Sequence, residues 1–423
     1  MKRYRIIVVD DSAFMRKLFS DIIESDPAFT VIAVGKNGRE AVELHRELKP
    51  DAITIDLEMP EMNGIEALKH IMAEASTPVI MLSGISEEHT RETIAALALG
   101  AFDFIRKPSG PGADIRKTAE ELMLRLKAAV AIRRQAAPEA KERPEASRPA
   151  AKTRGAARAA PVPKQPKEPK QPKELKQPKR PEQPPAKRES AAPSPSPASE
   201  SPRIPDSGIR PEAVRPAPPA PAKPVAAETA GAFRHIIAIG TSTGGPRALH
   251  RLLSELPGDL PAPLLIVQHM PPKFTYSLAQ RLNSHSALTV KEAEDGEPVR
   301  PGFAYIAPGG RHMELAASGR QYVIRLTDGP QRNGHRPSVD VLFESLVPFT
   351  ELARHAVILT GMGSDGAKGM RALADHGAVT TIAEAEETCV VFGMPRSAIE
   401  EGAVSIVLPL HEIPARLTEA VRR

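Results

Sequence analysis

The first quarter of the 423-residue chain carries polar side chains where short apolar runs end: Asp10, Asp11, Asp56, Ser83 and Lys107. The carboxyl ends of parallel strands meet at one edge of a sheet, so we expect these side chains to converge there. Carboxylate oxygens are the ligands that Mg²⁺ prefers in its coordination shell. The sequence therefore predicts a Mg²⁺ site at Asp10, Asp11 and Asp56. Asp56 is then the candidate phosphoryl acceptor. Lys107 supplies a cation and Ser83 a hydroxyl to the phosphoryl oxygens.

A plainer interpretation is that these carboxylates lie on the surface and cap helices, which is common for any single aspartate. Five matching positions at successive strand exits favour the shared site instead. Most of the chain lies downstream of this site. The N-terminal part of the chain therefore has the pattern of a regulatory domain that controls the part downstream of it.

Serine, histidine and aspartate follow three predicted strands in the last 190 or so residues. Ser242 lies in a turn of small residues, 240–246, between a strand and a helix. Such a turn can present a nucleophile beside a helix N-terminus. His269 and Asp365 follow two later strands, so a Ser-His-Asp hydrolytic triad at one sheet edge is predicted. The chain order Ser, His, Asp differs from that of α/β-hydrolases, which argues against that fold.

Other interpretations of these residues remain. A dinucleotide site is disfavoured, because Gly-x-Gly-x-x-Gly is absent and no acidic residue ends the next strand. Taken alone, Ser242 more often caps a helix and His269 is more often structural. His312 and His335 are alternative bases, although each is expected in a loop after glycines, with substrate-rim or structural roles otherwise.

Alternating apolar runs and amphipathic segments define two α/β domains. In residues 1–134, strands are predicted at 5–9, 30–34, 52–55, 78–82 and 101–105, with helices between them and a basic helix at the end. This predicts a doubly wound, five-stranded parallel sheet. In residues 233–423, strands are predicted at 235–239, 264–267, 357–360, 379–382 and 405–408. A hairpin is predicted from 303–306 and 322–326, within a second doubly wound α/β domain.

Residues 135–232 have the composition of a disordered Pro/Lys-rich linker. They hold 23 of the 44 prolines and a repeated Lys-Gln-Pro-Lys motif, with no apolar period that could form a core. The segment has a net charge of +8 against +5 for the whole chain, so the other residues sum to −3. Basicity is thus a property of the linker, which argues against a nucleic-acid partner.

The sequence also indicates the cellular compartment of the protein. The apolar runs are shorter than the ~20 residues that span a bilayer, and the N-terminus shows no signal-peptide pattern. The single cysteine, Cys389, excludes an internal disulfide framework and fits a reducing compartment. We therefore expect a cytoplasmic protein without membrane insertion. No Cys/His cluster has zinc spacing, and we expect hydrolysis without a cofactor.

Residues 1–125 resemble the receiver domain of two-component response regulators through the five residues named first. The resemblance implies that Asp56 is phosphorylated, that Asp10 and Asp11 bind the metal with it, and that Ser83 and Lys107 contact the phosphoryl group.

Residues 233–423 resemble the catalytic domain of CheB, a family of chemotaxis protein-glutamate methylesterases that also deamidate protein glutamines. The family carries an N-terminal receiver, so the domain order agrees. The resemblance implies that Ser242 is the nucleophile, His269 the base and Asp365 the orienting acid, with the backbone near Met362 stabilising the oxyanion. It is carried by residues 240–246, 268–272, 307–313, 335–340, 359–369 and 388–395.

The same resemblance implies partners. Chemoreceptor helices would be demethylated and deamidated in chemotactic adaptation, and a chemotaxis histidine kinase would be the phosphodonor that activates the enzyme. The resemblance also implies that the unphosphorylated receiver covers the active site. A rival of another class is a phosphorylation-gated receptor-binding module with little turnover, which release of methanol would distinguish. A DNA-binding regulator is disfavoured, because no recognition-helix motif follows the receiver.

Overall fold

The computed structural model describes residues 3–75, 77–84, 86–108, 114–136 and 233–423. Strands and helices alternate in the N-terminal part, as predicted. Its elements are β1 (Tyr4–Val9), α1 (Ala13–Glu24), β2 (Phe29–Gly35), α2 (Gly38–Leu48), β3 (Ala52–Asp56), α3 (Gly64–Glu74), β4 (Val79–Ser83), α4 (Glu87–Leu99), β5 (Asp103–Arg106) and α5 (Ile115–Ala136).

The N-terminal strands form one parallel sheet in the order β2-β1-β3-β4-β5. Strands β3 and β4 are buried throughout, which is why they read as continuous apolar runs rather than alternating ones. Side-chain oxygens at four helix starts accept the backbone N–H three residues on, and so fix where these helices begin. These capping residues are Ser12, Asn37, Asn63 and Ser86. The predicted doubly wound five-stranded fold is confirmed.

The C-terminal part alternates in the same way. Its elements are β6 (His235–Thr241), α6 (Gly245–Glu255), β7 (Leu264–Gln268), α7 (Phe274–His285), β8 (Thr289–Glu292), β9 (Phe303–Ile306), β10 (His312–Ser318), β11 (Gln321–Thr327), α8 (Val339–Leu346), β12 (Ala353–Ile358), α9 (Ala367–Asp375), β13 (Thr380–Glu384), α10 (Met394–Glu400), β14 (Ile406–Leu408) and α11 (Ile413–Arg422).

Seven of these strands form a parallel sheet in the order β14-β13-β12-β6-β7-β9-β8. The three central strands, β12, β6 and β7, are neighbours, and each is almost wholly buried. Their carboxyl ends therefore open at the middle of one sheet edge, where ligands of parallel α/β sheets bind. The second α/β domain is confirmed.

The predicted hairpin of 303–306 with 322–326 is wrong. Strand β9 joins the parallel sheet between β7 and β8, where its Ala304, Tyr305 and Ile306 are buried. Strand β11 pairs antiparallel with β10, from His312 opposite Thr327 to Ser318 opposite Gln321. Sequence reasoning missed β10 because Glu314 and the small residues after it dilute its apolar pattern, and it missed the short edge strand β8.

The two α/β parts share a packed boundary. The rings of Phe104 on β5 and Phe274 on α7 stack with centroids 4.6 Å apart and an interplanar angle of 18°. The hydroxyls of Thr90 on α4 and Ser277 on α7 are buried and lie 3.0 Å apart. One apolar cluster runs through this boundary from the first sheet to α6 and α7. The receiver-like part is therefore docked on the second part.

Most of the predicted linker, 137–232, lies outside the described residues, and α5 extends to Ala136 at its start. Within the described part of the chain, no helix combines the length and apolarity needed to cross a bilayer.

Candidate active site and phosphorylation site

Three neighbouring strands bring the predicted triad to one edge of the sheet. Ser242 directly follows β6, and His269 directly follows β7 on one side of it. Asp365 lies in the loop between β12 and α9 on the other side. The three side chains lie at the same sheet edge, as expected, because β12, β6 and β7 are parallel neighbours. Ser242 and His269 line the same cavity.

His269 and Asp365 form a buried pair. The Nε2 of His269 lies 2.8 Å from Oδ2 of Asp365, and the two side chains are 5% and 1% exposed. The Nδ1 of His269 is buried and has no hydrogen-bond partner among the described residues. Because an anionic Asp365 accepts from Nε2–H, the lone pair is on Nδ1. Nδ1 is thus the nitrogen left available to act as a base, whereas in the chymotrypsin triad Nδ1 faces the aspartate. Among the described residues, no hydrogen bond joins Nδ1 to the Ser242 hydroxyl.

Asp365 is held as an anion by donors on both of its oxygens. The Asn333 amide and the Ser338 hydroxyl each donate to Oδ1 over 2.8 Å, and the Val339 N–H donates to Oδ2 over 2.7 Å. Burial alone would raise the pKa of Asp365, but His269 and these hydrogen bonds outweigh it and hold the pKa well below its usual range. The carboxylate can therefore orient His269 and stabilise its protonated form.

The nucleophile turn is fixed by backbone contacts. The N–H of Ser242 donates to Thr360 O over 3.1 Å, and Gln268 Nε2 donates to Ser242 O over 3.0 Å. Gly244 adopts φ 82°, and a Cβ there would lie 2.5 Å from Cβ of Val390. The turn thus needs glycine for both its conformation and its close packing. Helix α6 then begins at Gly245, with its N-terminal N–H groups beside Ser242.

The loop at Met362 passes close to the nucleophile. A Cβ on Gly361 would lie 3.0 Å from Cβ of Ser242. The carbonyl of Gly361 accepts the N–H groups of Gly393 and Met394, which ties the loop to α10. Met362 lines the cavity with Ser242. This placement supports Met362 as the oxyanion candidate.

The alternative bases occupy different places. His312 is the first residue of β10 rather than a loop residue: its Nε2 lies 3.0 Å from Pro330 O, and its Nδ1 accepts the Ser338 N–H. Both nitrogens are therefore engaged away from Ser242. His335 lies in the loop before α8, stacked on His269 with ring centroids 3.8 Å apart.

At the other site, Lys107 bridges two carboxylates. Its Nζ lies 2.7 Å from both Asp10 Oδ2 and Asp56 Oδ2. Burial raises the pKa of Asp56 to about 6, against the lowering effect of Lys107 and with help from Asp10 and Asp11. Burial acts to lower the pKa of Lys107, but the two carboxylates outweigh it and raise the pKa. Lys107 is thus charged and beside the predicted acceptor.

The same carboxylates fit a divalent cation. Ligand oxygens of Asp10, Asp11 and Asp56 all lie within 4.8 Å of one another. Asp10 and Asp56 are buried, and Lys107 supplies one positive charge for three carboxylates. Crowded oxygen ligands with uncompensated negative charge are what Mg²⁺ binds.

Ser83 ends β4 and is buried, with its hydroxyl 2.6 Å from that of Thr93 on α4. Thr93 in turn donates to the carbonyl of His89, one turn earlier in the same helix. A phosphoryl group on Asp56 that drew the Ser83 hydroxyl would therefore disturb α4, which packs on the second domain through Thr90.

The receiver-like part also reaches the nucleophile turn. The Thr243 hydroxyl donates to Asp103 Oδ2 over 2.6 Å, and Arg125 Nε lies 3.2 Å from the same oxygen. Both residues of the first part border a cavity of about 760 Å³ that contains Ser242 and His269. Sequence reasoning missed Thr243 and Asp103, because a contact between residues 140 positions apart leaves no local pattern.

The fold and the two candidate sites are those expected of a serine-hydrolase domain docked to a receiver domain. Residues 237–417 match the CheB methylesterase family and residues 6–119 match the response regulator receiver domain. The chain is 41% identical over 422 residues to the protein-glutamate methylesterase/protein-glutamine glutaminase of Geobacillus kaustophilus, covering 100% of this chain and 99% of the relative. With the protein of the same name from Symbiobacterium thermophilum, identity is 41% over 418 residues, with 99% and 97% coverage.

Among solved structures, the catalytic domain of Thermotoga maritima CheB methylesterase is 50% identical, covers 44% of this chain and 99% of its own, and has a TM-score of 0.43. The full-length identity with the curated relatives decides the assignment. The chain belongs to the CheB family of protein-glutamate methylesterases.

Proposed function

We propose that this protein hydrolyses glutamyl γ-methyl esters, and deamidates specific glutamines, on the cytoplasmic helices of chemoreceptors. Phosphorylation of its receiver activates it, and the reaction serves adaptation in chemotaxis. The observation that carries the proposal is the buried His269–Asp365 pair, which leaves Nδ1 of His269 unpartnered among the described residues, in the cavity that Ser242 also lines.

The chemistry follows from this arrangement. Ser242 Oγ attacks the ester carbonyl while Nδ1 of His269 takes its proton, and Asp365 stabilises the imidazolium. The developing oxyanion lies near the backbone at Met362 and the N-terminus of α6. His269 returns the proton to the departing methoxide, which leaves as methanol. Water then attacks the acyl-enzyme by the same route and releases glutamate. With a glutamine substrate the leaving group is ammonia. No cofactor enters this scheme.

The receiver would supply control. Asp10, Asp11 and Asp56 would hold Mg²⁺, which neutralises charge on a phosphoryl group in transfer. Asp56 accepts that group from a chemotaxis histidine kinase, and Lys107 pairs with its oxygens. Ser83 turns toward the group from its present partner on α4.

The docked receiver forms part of the cavity wall. Asp103 and Arg125 line the same cavity of about 760 Å³ as Ser242 and His269, and Asp103 accepts the hydrogen bond of Thr243 beside the nucleophile. Separation of Asp103 from Thr243 would therefore widen access to Ser242 for a substrate helix.

The proposed organisation is a receiver at residues 1–134, a linker at 135–232 and a catalytic domain at 233–423. The protein works in the cytoplasm, where receptor helices and the kinase are accessible. Nucleic acid and membrane insertion have no part in this function.

The test is methanol release from membranes containing methylated receptors, with and without Mg²⁺ and a small-molecule phosphodonor. Wild type should release methanol, and the phosphodonor should raise the rate. S242A should release none, while S254A, which alters an exposed serine on α6, should behave as wild type. Binding to receptors without methanol release would support the rival function of a gated binding module instead.

A further inference from the structure

A tight turn next to the triad carries two side chains that contact it. The N–H and carbonyl of Arg332 exchange hydrogen bonds of 3.0 and 2.9 Å with His335. Between them Asn333 and Gly334 both have positive φ, 53° and 79°. This is the type I′ geometry that Asn-Gly favours. Arg332 also pairs with Glu344 on α8 over 2.7 Å, which anchors the turn to the helix that follows it.

The first of these side chains bridges two carboxylates. Nδ2 of Asn333 lies 2.8 Å from Oδ1 of Asp365 and 2.8 Å from Oδ2 of Asp340. Asp340 is fully buried, and its other oxygen accepts the N–H groups of Gly366 and Gly369 over 3.0 and 2.7 Å. Asp340 thus holds the backbone just after Asp365, and the Asn333 amide joins the two acids.

The second side chain covers the base. The rings of His335 and His269 are nearly parallel, with an interplanar angle of 5° and centroids 3.8 Å apart. Burial, His269 and Arg125 lower the pKa of His335 to about 4, against the opposite effect of Asp365. The ring is therefore neutral at neutral pH. It closes one face of His269 without adding a charge, while Asp365 holds the edge of that ring.

We propose that the 332–335 turn is a positioning element of the triad, in which Asn333 fixes the acid and His335 fixes the plane of the base. Neither residue exchanges a proton with substrate. Together they hold Nδ1 of His269 in the direction of Ser242. The inference rests on the proposed function for its substrate, but not for its geometry.

Two variants of His335 and a pH profile separate stacking, proton transfer and simple packing in the full-length, phosphodonor-activated protein. H335F keeps an aromatic face and should keep at least about a third of kcat, whereas H335L fills the space without a stack and should lose about 10–100-fold. KM should stay within about twofold for both, because substrate binding is not affected. The pH profile of kcat/KM in H335F should keep the wild-type limbs. If H335F lost as much of kcat as H335L, or if H335L were as active as wild type, the proposal would be overturned.

Asn333 is tested with a variant that spares the backbone. N333G keeps positive φ accessible and removes only the amide, so kcat should fall about 10-fold or more with KM unchanged. N333G with wild-type kcat would contradict the proposal. The rate at which a fluorophosphonate labels Ser242 is measured in every variant. A slower rate in H335L and N333G would uphold the positioning role even if wild type released no methanol, and an unchanged rate would refute that role independently of substrate.

Discussion

The hydroxyl of Thr243 donates a 2.6 Å hydrogen bond to Asp103, and so joins the residue after the nucleophile to the receiver. Arg125, on α5 of the receiver, pairs with the same carboxylate. Thr243 and Asp103 are both buried in the docked form, so their hydrogen bond is shielded from water. It is also charge-assisted, because the acceptor is a carboxylate. Docking therefore acts within one residue of the reacting hydroxyl.

Replacement of Asp103 by alanine should raise the activity of the unphosphorylated protein. Losing one to two kcal/mol of docking free energy corresponds to roughly a 5–30-fold change in the ratio of docked to undocked protein. Methanol release without phosphodonor should rise by up to that factor, while the phosphorylated rate stays within about twofold. D21N, an exposed change on α1, is the matched control. An unchanged basal rate in D103A would show that this bond does not contribute to inhibition.

Replacement of Asp365 by asparagine should reduce kcat on the order of 10⁴-fold, the effect of the same change in the chymotrypsin-type triad. The amide presents no anion to the imidazolium and favours the wrong tautomer of His269. Thermal unfolding followed by circular dichroism checks that the fold survives. D375N, an exposed change on α9, should leave kcat unaltered. A loss of less than tenfold would mean that Asp365 is not the orienting acid.

In D56N the receiver should dock on the catalytic domain as in wild type. The variant should nevertheless respond to no phosphodonor, because an amide cannot accept a phosphoryl group. Wild-type activation should disappear when EDTA removes Mg²⁺, whereas basal hydrolysis by D56N should be unaffected by EDTA. Both rates are read as methanol release. Equal stimulation of D56N and wild type would move the acceptor to another residue.

His355 should make the catalytic domain acid-sensitive. It is 1% exposed on β12, its Nε2 lies 3.1 Å from Nδ1 of His235, and burial lowers its pKa to about 4. The unfolded chain binds this proton near pH 6.5, so stability is full above that value and is lost as the pH falls toward 4. The loss is on the order of 3 kcal/mol, at about 1.4 kcal/mol for each pKa unit.

The measurement is the fall in melting temperature between pH 7 and pH 4.5. H355F keeps a ring beside His235 but cannot be protonated, so its melting temperature should fall less than that of wild type. A fall of the same size in both proteins would assign the acid sensitivity to other groups, of which His335 is the nearest in kind.

The strand-end rule predicted from sequence that the residues of each candidate site lie at one sheet edge, because parallel strands place their carboxyl ends there. It put Ser242, His269 and Asp365 together without the strand order. It did not predict that β12, β6 and β7 are neighbours, since pairing depends on contacts far apart in the chain. The nitrogen of His269 that faces Asp365 was likewise beyond reach, because ring orientation follows from packing.

One missed element did have a local signal. The dipeptide Asn333-Gly334 is a strong short-range indicator of a type I′ turn, and it stands between β11 and α8. The turn could therefore be predicted from sequence, but its contact with Asp365 could not. The false hairpin had the opposite cause: Phe303 to Ile306 is apolar and short, and such a run fits a buried parallel strand as well as a hairpin strand.

The stacked rings of Phe104 and Phe274 lie at the docked boundary, so any effect of phosphorylation on this boundary would link docking and phosphorylation as two equilibria. Linkage is reciprocal: if a phosphoryl group on Asp56 weakens docking by some factor, docking weakens retention of the phosphoryl group by the same factor. Under the proposed function, a receptor helix that bound beside Ser242 would compete with the docked receiver. Substrate should thereby favour the phosphorylated receiver, so that the enzyme is most readily charged where its substrate is abundant.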